Sequence, residues 1–231
     1  MGVNQGCCCA VPNKGIKRGR SKVGTSRNHG DTINTSTAES SSQLNTFRSM
    51  KEASSNDRHR KREAECEEFV KTKIAEGVPW TDPDFPPTKE SLLDGCEERL
   101  NSTERRFYES LVWRRASDIY PNLTIARAPG VYKVSDFIQG QSAHNYFTNY
   151  LRELPQMQTR VESVLVSKQV NAACIYRVKF FINGLRTSVL VDDYIPVSSS
   201  SMQPAFCRSE KQLFWALLIE KAWAKINGSY G

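Results

Sequence analysis

The chain has 231 residues, 39% of them hydrophobic, and a formal net charge of +7. That length fits one domain, or one domain with a tail, provided the apolar residues are concentrated enough to close a core. The longest apolar run, LFWALLI at 213–219, is far short of the about 20 residues needed to cross a bilayer, which excludes a membrane-spanning helix.

The basic character belongs to the first 62 residues, which hold twelve Lys or Arg against four Asp or Glu, a net of +8 that leaves about −1 for the rest. This segment has almost no large apolar side chains. It cannot bury enough surface to offset the roughly 1–2 kcal/mol that ordering each residue costs, so it is expected to be disordered. Its first residues, MGVNQGCCC, expose Gly2 once Met1 is removed, and a basic run follows at Lys14, Lys17, Arg18, Arg20 and Lys22. The pattern predicts N-myristoylation at Gly2 and S-palmitoylation at Cys7, Cys8 and Cys9, although Gly6 replaces the usual Ser or Thr. One myristoyl chain binds membrane only marginally, and both a second acyl chain and a polybasic patch are present here to strengthen it. The expected partner is therefore the inner leaflet of a membrane.

Chance cysteines in a frayed terminus are the plain alternative. Zinc fits poorly, because three consecutive cysteines do not easily surround one ion and the segment adds only His29 and His59. No specific nucleic-acid binding is expected without aromatics for stacking among the basic residues. The seven cysteines are odd in number, lack paired spacing and follow no secretory signal, so free thiols in a reducing, cytosolic setting are expected.

A folded domain is expected over 63–231. EAECEEFVKTKIAEG predicts a helix with Cys66, Phe69, Val70 and Ile74 on one face and a stop at Gly77. WTDPDFPPTKESLL then runs extended through Pro83, Pro86 and Pro87. LLDGCEERLNSTERRFYESLVW predicts further helix, with Phe107, Leu111 and Trp113 toward the core. QGQSAHNYFTNY, at 139–150, has the glycine turn and aromatic-rich helix start of a site built around a nucleophile, with the amide Asn145 in the nucleophile's place. CIYRVKFFINGLRTSVLVDDYIP predicts a β-hairpin with a type I′ turn at Asn183-Gly184. The carboxylates Asp192 and Asp193 at its far end read as a solvated strand end rather than ligands. SEKQLFWALLIEKAWAKING predicts a buried helix, with Ser209 as N-cap candidate and Gly228 as terminator.

DPDFPP and SL within 82–92, LVWRR at 111–115, DFIQG at 136–140, IYRVKFFINGLRTSVLVDDYIP, and the closing FWALLIEKAWAKINGSYG occur together in order. Over roughly 78–231 the chain resembles the calpain family of cysteine proteases. The resemblance implies an α+β fold, the N-terminal helical subdomain of a papain-like protease core with a β-hairpin, preceded by the disordered tail. It also implies roles for particular residues. Gln139 stands six residues before position 145, as the family's oxyanion-hole glutamine stands before its cysteine. A thiol there is activated by a helix amino terminus and an imidazole, whereas the carboxamide of Asn145 has no proton to surrender and no comparable lone pair. The family's Gly-Asp before the nucleophile is Ala143-His144 here, and the Trp after it is Tyr146. His144 is expected to point away from its helical neighbour Asn145. The family's catalytic His and Asn lie in a second subdomain that the chain, ending at GSYG, does not reach. No catalytic residues are therefore expected.

Calpains also bind calcium in each subdomain. Asp136 matches the family's liganding aspartate, but the matching glutamate is Leu213, so no tight metal site is expected and no cofactor with it. A missing second subdomain leaves one face open, to be covered by another protein, unless the sequence is a fragment. The resulting expectation is a membrane-tethered, inactive interaction or scaffold module at the cytoplasmic face of the plasma membrane or the cortical cytoskeleton. It resembles small acylated calpain-like proteins of protists. The alternative is one part of a calcium-dependent calpain-type endopeptidase whose remaining pieces lie elsewhere.

Overall fold

The computed structural model describes residues 37–231 except 94, 96 and 141–144, and at 37–55, 97, 145 and 146 it describes the backbone alone. Gly2, Cys7, Cys8, Cys9, the first 36 residues of the expected tail, Ala143 and His144 lie outside the described residues. The chain divides into two compact units, with the boundary between Glu65 and Cys66.

Residues 37–65 of the first unit are helical, within α1 (Thr37–Glu76). This helix starts inside the segment whose composition suggests a tail. No Gly or Pro interrupts the sequence between Asp31 and Glu76, and i,i+4 pairs such as Lys61–Glu65 at 4.0 Å add a few tenths of a kcal/mol. The helix ends as the sequence predicts, at Gly77 with φ +66. Only glycine adopts that left-handed turn at little cost, and its N–H caps the Lys73 and Ile74 carbonyls.

The second unit is built around α6 (Trp215–Asn227). Trp215, Leu217, Leu218, Ile219 and Ala222 are each at most 2% exposed, and burying a leucine or isoleucine side chain stabilises by about 1.5–3 kcal/mol. Against this helix pack the hairpin β3 (Ile175–Ile182) and β4 (Leu185–Asp192), through Tyr176, Val178, Val189 and Val191. The hairpin register pairs Ile182 with Leu185, leaving Asn183 and Gly184 as the turn at φ 51 and 78. Both angles are positive, as a type I′ turn requires. The α+β class and the hairpin are as the sequence indicates, and among the described residues the sheets are three antiparallel two-stranded ladders.

Two local expectations are corrected. The helix expected through Trp113 is shorter, α2 (Ser102–Glu109), opened by a capping box in which Asn101 and Glu104 satisfy each other's backbone N–H groups. LVWRR is instead strand β1 (Leu111–Arg115), antiparallel to β5 (Tyr194–Ser198) with Trp113 opposite Pro196. Ser209 is not the N-cap of α6, which begins six residues later. Its hydroxyl donates to the Asp136 carbonyl at 2.8 Å and accepts the Leu213 N–H at 3.0 Å. α3 (Ala116–Ile119), the short β2 (Ile138–Gln139) and β6 (Cys207–Arg208), α4 (Asn145–Glu153) and α5 (Gln158–Val164) complete the unit.

Candidate active site

Gln139 lies on β2, paired with Cys207 of β6. Gly140 follows against the backbone that leads into β6. A Cβ there would collide with the carbonyl oxygens of Ala205 and Phe206, so the turn after Gln139 closes only with glycine. Asn145 is the first residue of α4. The helix is amphipathic: Phe147, Thr148 and Leu151 are buried, while Asn149 and Tyr150 are exposed. Phe147 stacks on Trp223 of α6 at 5.4 Å and 12°, which seats α4 on the core. Gln139, Phe147, Thr148, Phe206, Glu220 and Trp223 line one hollow of about 180 Å³. Gln139 and the first turn of α4 therefore open on a common cleft.

That cleft has no low-pKa thiol among the described residues. Cys207 is 2% exposed, and burial with the nearby Glu220 pushes its thiol well above the ordinary range. Cys174 is half-buried and pushed up to about 11 by burial and by Asp193. Cys66 packs in a small apolar cluster with Ala173, Ile175 and Leu190. A thiol with a raised pKa stays protonated at neutral pH and is a poor nucleophile.

Glu220 was not anticipated from the sequence, although one carboxylate inside the apolar run LFWALLIEKAW was the available signal. Burial pushes its carboxyl up to about 7, opposed by the Cys207 N–H that it accepts at 2.9 Å. The native state therefore holds a proton there that the unfolded chain releases at lower pH. Stability from this group is fully present below the unfolded pKa and is lost as pH rises toward 7. Denaturation midpoints measured from pH 5 to 8 should fall with rising pH, and Glu220→Gln should flatten that slope.

The calcium-matching positions lie close together but make a different kind of site. Asp136 ends a single 3₁₀ turn, Val134–Asp136, and is 1% exposed. Its carboxylate accepts Arg127 Nε at 2.6 Å, the Lys133 N–H at 2.8 Å and the Trp215 indole N–H at 3.3 Å. Leu213 is 4% exposed, and the Ser209 hydroxyl links its N–H to the Asp136 carbonyl. This donor set does not suit a hard cation. Calcium takes six to eight oxygens, whereas here one carboxylate already accepts three N–H donors and the second position is hydrocarbon. No group of three or more His, Cys, Asp or Glu side chains able to hold a metal occurs among the described residues.

Asp192 and Asp193 are not the solvated strand end expected, being 0% and 1% exposed. Asp193 pairs with Arg115 of β1, and Asp192 with Lys221 of α6. Desolvated charges persist only when paired in this way, and both partners come from distant parts of the sequence.

Residues 80–231 match the family model described as calpain family cysteine protease. The chain is 35% identical over 156 residues to "Calpain-type cysteine protease ADL1" of Oryza sativa subsp. japonica, covering 65% of this chain and 7% of that protein. It is equally similar, with the same coverage, to "Calpain-type cysteine protease DEK1" of Zea mays. It is 31% identical over 163 residues to "Calpain-B" of Drosophila melanogaster, covering 68% of this chain and 16% of the fly protein. The chain thus spans a small part of the length of these relatives. With the family model matching residues 80–231, about two thirds of the sequence, the chain belongs to the calpain family of cysteine proteases.

Proposed function

We propose that the chain is a catalytically inactive calpain-type module, held at a membrane's inner face by acylation of Gly2, Cys7, Cys8 and Cys9, that works by interaction rather than by cleavage. The observation that carries this reading is the asparagine at the first residue of α4, where the family places its thiol. The raised pKa values of Cys174 and Cys207 support it, since neither thiol offers a substitute. An apolar hollow of about 380 Å³ between α4 and the hairpin, lined by Tyr150, Phe180 and Phe181, supports a protein partner on that face. Phe181 is 72% exposed there, and exposed apolar patches mark interaction surfaces.

The second reading is a portion of a working calpain-type endopeptidase. It is favoured by the relatives' names and by the small share of their length that this chain covers. A peptidase assay separates the two. Wild type and Asn145→Cys should both be inactive with and without calcium, and cleavage by wild type would reject the proposal. Membrane partitioning tests the anchor separately. Gly2→Ala, or replacement of Cys7, Cys8 and Cys9 together, should release the protein to the soluble fraction, and unchanged partitioning would remove acylation from the proposal.

A further inference from the structure

Asp136 has its charge neutralised from within the chain. Arg127, nine residues upstream, places Nε 2.6 Å from one carboxylate oxygen, and the Lys133 N–H and Trp215 indole hold the other. The carboxylate is wholly buried, while the Arg127 side chain keeps 31% of its surface exposed. A charge-assisted bond of this length is roughly twice as strong as a neutral one. The Asp136 carbonyl is tied in turn to Ser209, and through it to Leu213 at the entry to α6.

We propose that Arg127 is a built-in replacement for a divalent cation: its guanidinium closes the 127–136 loop onto Asp136 and α6, so this subdomain is set without calcium. Three features favour the guanidinium over a metal. A metal at Asp136 would have to break the Arg127 contact, and with Arg127 still beside it two positive charges would remain on a buried site that is now neutral. The second ligand position, Leu213, offers no oxygen from its side chain. The nearest cavity, about 430 Å³ and lined by Arg127, Gly130 and Tyr132, does contain Glu162, but Lys168 lines it as well. The proposal does not depend on the chemistry at position 145.

The test is thermal unfolding of the full chain in chelator and in calcium chloride. The wild-type midpoint should be the same in both. A site with a Kd of about 0.1 mM would raise the apparent folding constant about 100-fold at about 10 mM calcium, so a shift of that size in wild type, lost in Asp136→Asn, overturns the proposal. Arg127→Ala should lower the midpoint and Arg127→Lys should recover part of the loss; an unchanged midpoint in Arg127→Ala also overturns it. The double variant Arg127→Ala with Leu213→Glu restores the missing carboxylate and removes the competing cation, so its midpoint should rise with calcium. A folded double variant blind to calcium would count against the proposal. If that variant does not fold, calorimetric titration of wild type with calcium chloride decides: no heat of binding is expected, and saturable binding lost in Asp136→Asn overturns the idea.

Discussion

Replacing Lys221 with methionine is expected to cost about 3–5 kcal/mol, the range for removing one partner of a buried ion pair. Lys221 and Asp192 are both 0% exposed and in direct contact, and Lys221 Nζ also donates to the Tyr194 carbonyl at 2.6 Å. Asp192 accepts the Asp82 N–H at 2.7 Å and the Tyr194 N–H at 2.8 Å. Asp82 is clasped by Lys225 at 2.7 and 2.9 Å, and Lys225 reaches the Leu190 carbonyl at 3.0 Å. Two carboxylates and two ammonium groups thus join the 80s loop, the hairpin and α6. Burial pushes the Lys221 pKa down while Asp192 opposes that shift, as a pair holding each other's charge should behave. Methionine keeps most of the stem's volume, so the loss measured by denaturant unfolding would report the charge left on Asp192. Removing that charge as well, in Lys221→Met with Asp192→Asn, should recover part of the loss because the remaining polar atoms are neutral. An exposed pair such as Lys61–Glu65, 79% and 46% exposed, should contribute well under about 1 kcal/mol by contrast. A Lys221→Met protein as stable as wild type would show that the network is not what joins these elements.

The same network shows where reading the sequence stops. The stop at Gly77, the Asn183-Gly184 turn and the apolar α6 follow from local rules about φ, turn type and periodicity, and each occurs as expected. The expected helix runs on through Leu111–Trp113 because the strand character of these residues comes from pairing with Tyr194–Ser198, about eighty residues away. Asp192 and Asp193 looked like surface charges because Lys221 and Arg115, which make their burial tolerable, are distant in the chain. The site divides in the same way. The expectations of Asn145 at the nucleophile position and Leu213 at a carboxylate position come from spacing within the family's motifs. The clamp by Arg127 does not, since nothing in RAPGVYKVSD says that the first residue folds back on the last. Glu220 lies between these cases: a lone carboxylate in an apolar helix signals a buried titratable group without naming its partner.

Trp215→Ala should be about as damaging as Lys221→Met, for the opposite physical reason. Trp215 is 0% exposed at the first residue of α6. It meets Tyr132 edge-to-face at 5.7 Å and 74°, and Phe137 at 5.6 Å and 90°. Truncating a buried Trp or Phe to alanine typically costs about 3–5 kcal/mol through lost transfer energy and the cavity left behind, and each aromatic pair adds about 0.5–1.5 kcal/mol beyond its area. The indole N–H to Asp136 is long at 3.3 Å and contributes less than the ring. Trp215→Phe keeps an aromatic ring and loses that donor, so it should retain most of the stability that alanine forfeits, with the near-ultraviolet circular dichroism of the aromatic cluster weakened rather than abolished. Tyr132 and Phe137 flank the loop that carries Asp136, so the alanine variant should also loosen the loop that Arg127 closes, and a second substitution, Arg127→Ala, should then cost less than it does in wild type. If phenylalanine proves as harmful as alanine, the hydrogen bond to Asp136 rather than the packed ring is what Trp215 supplies.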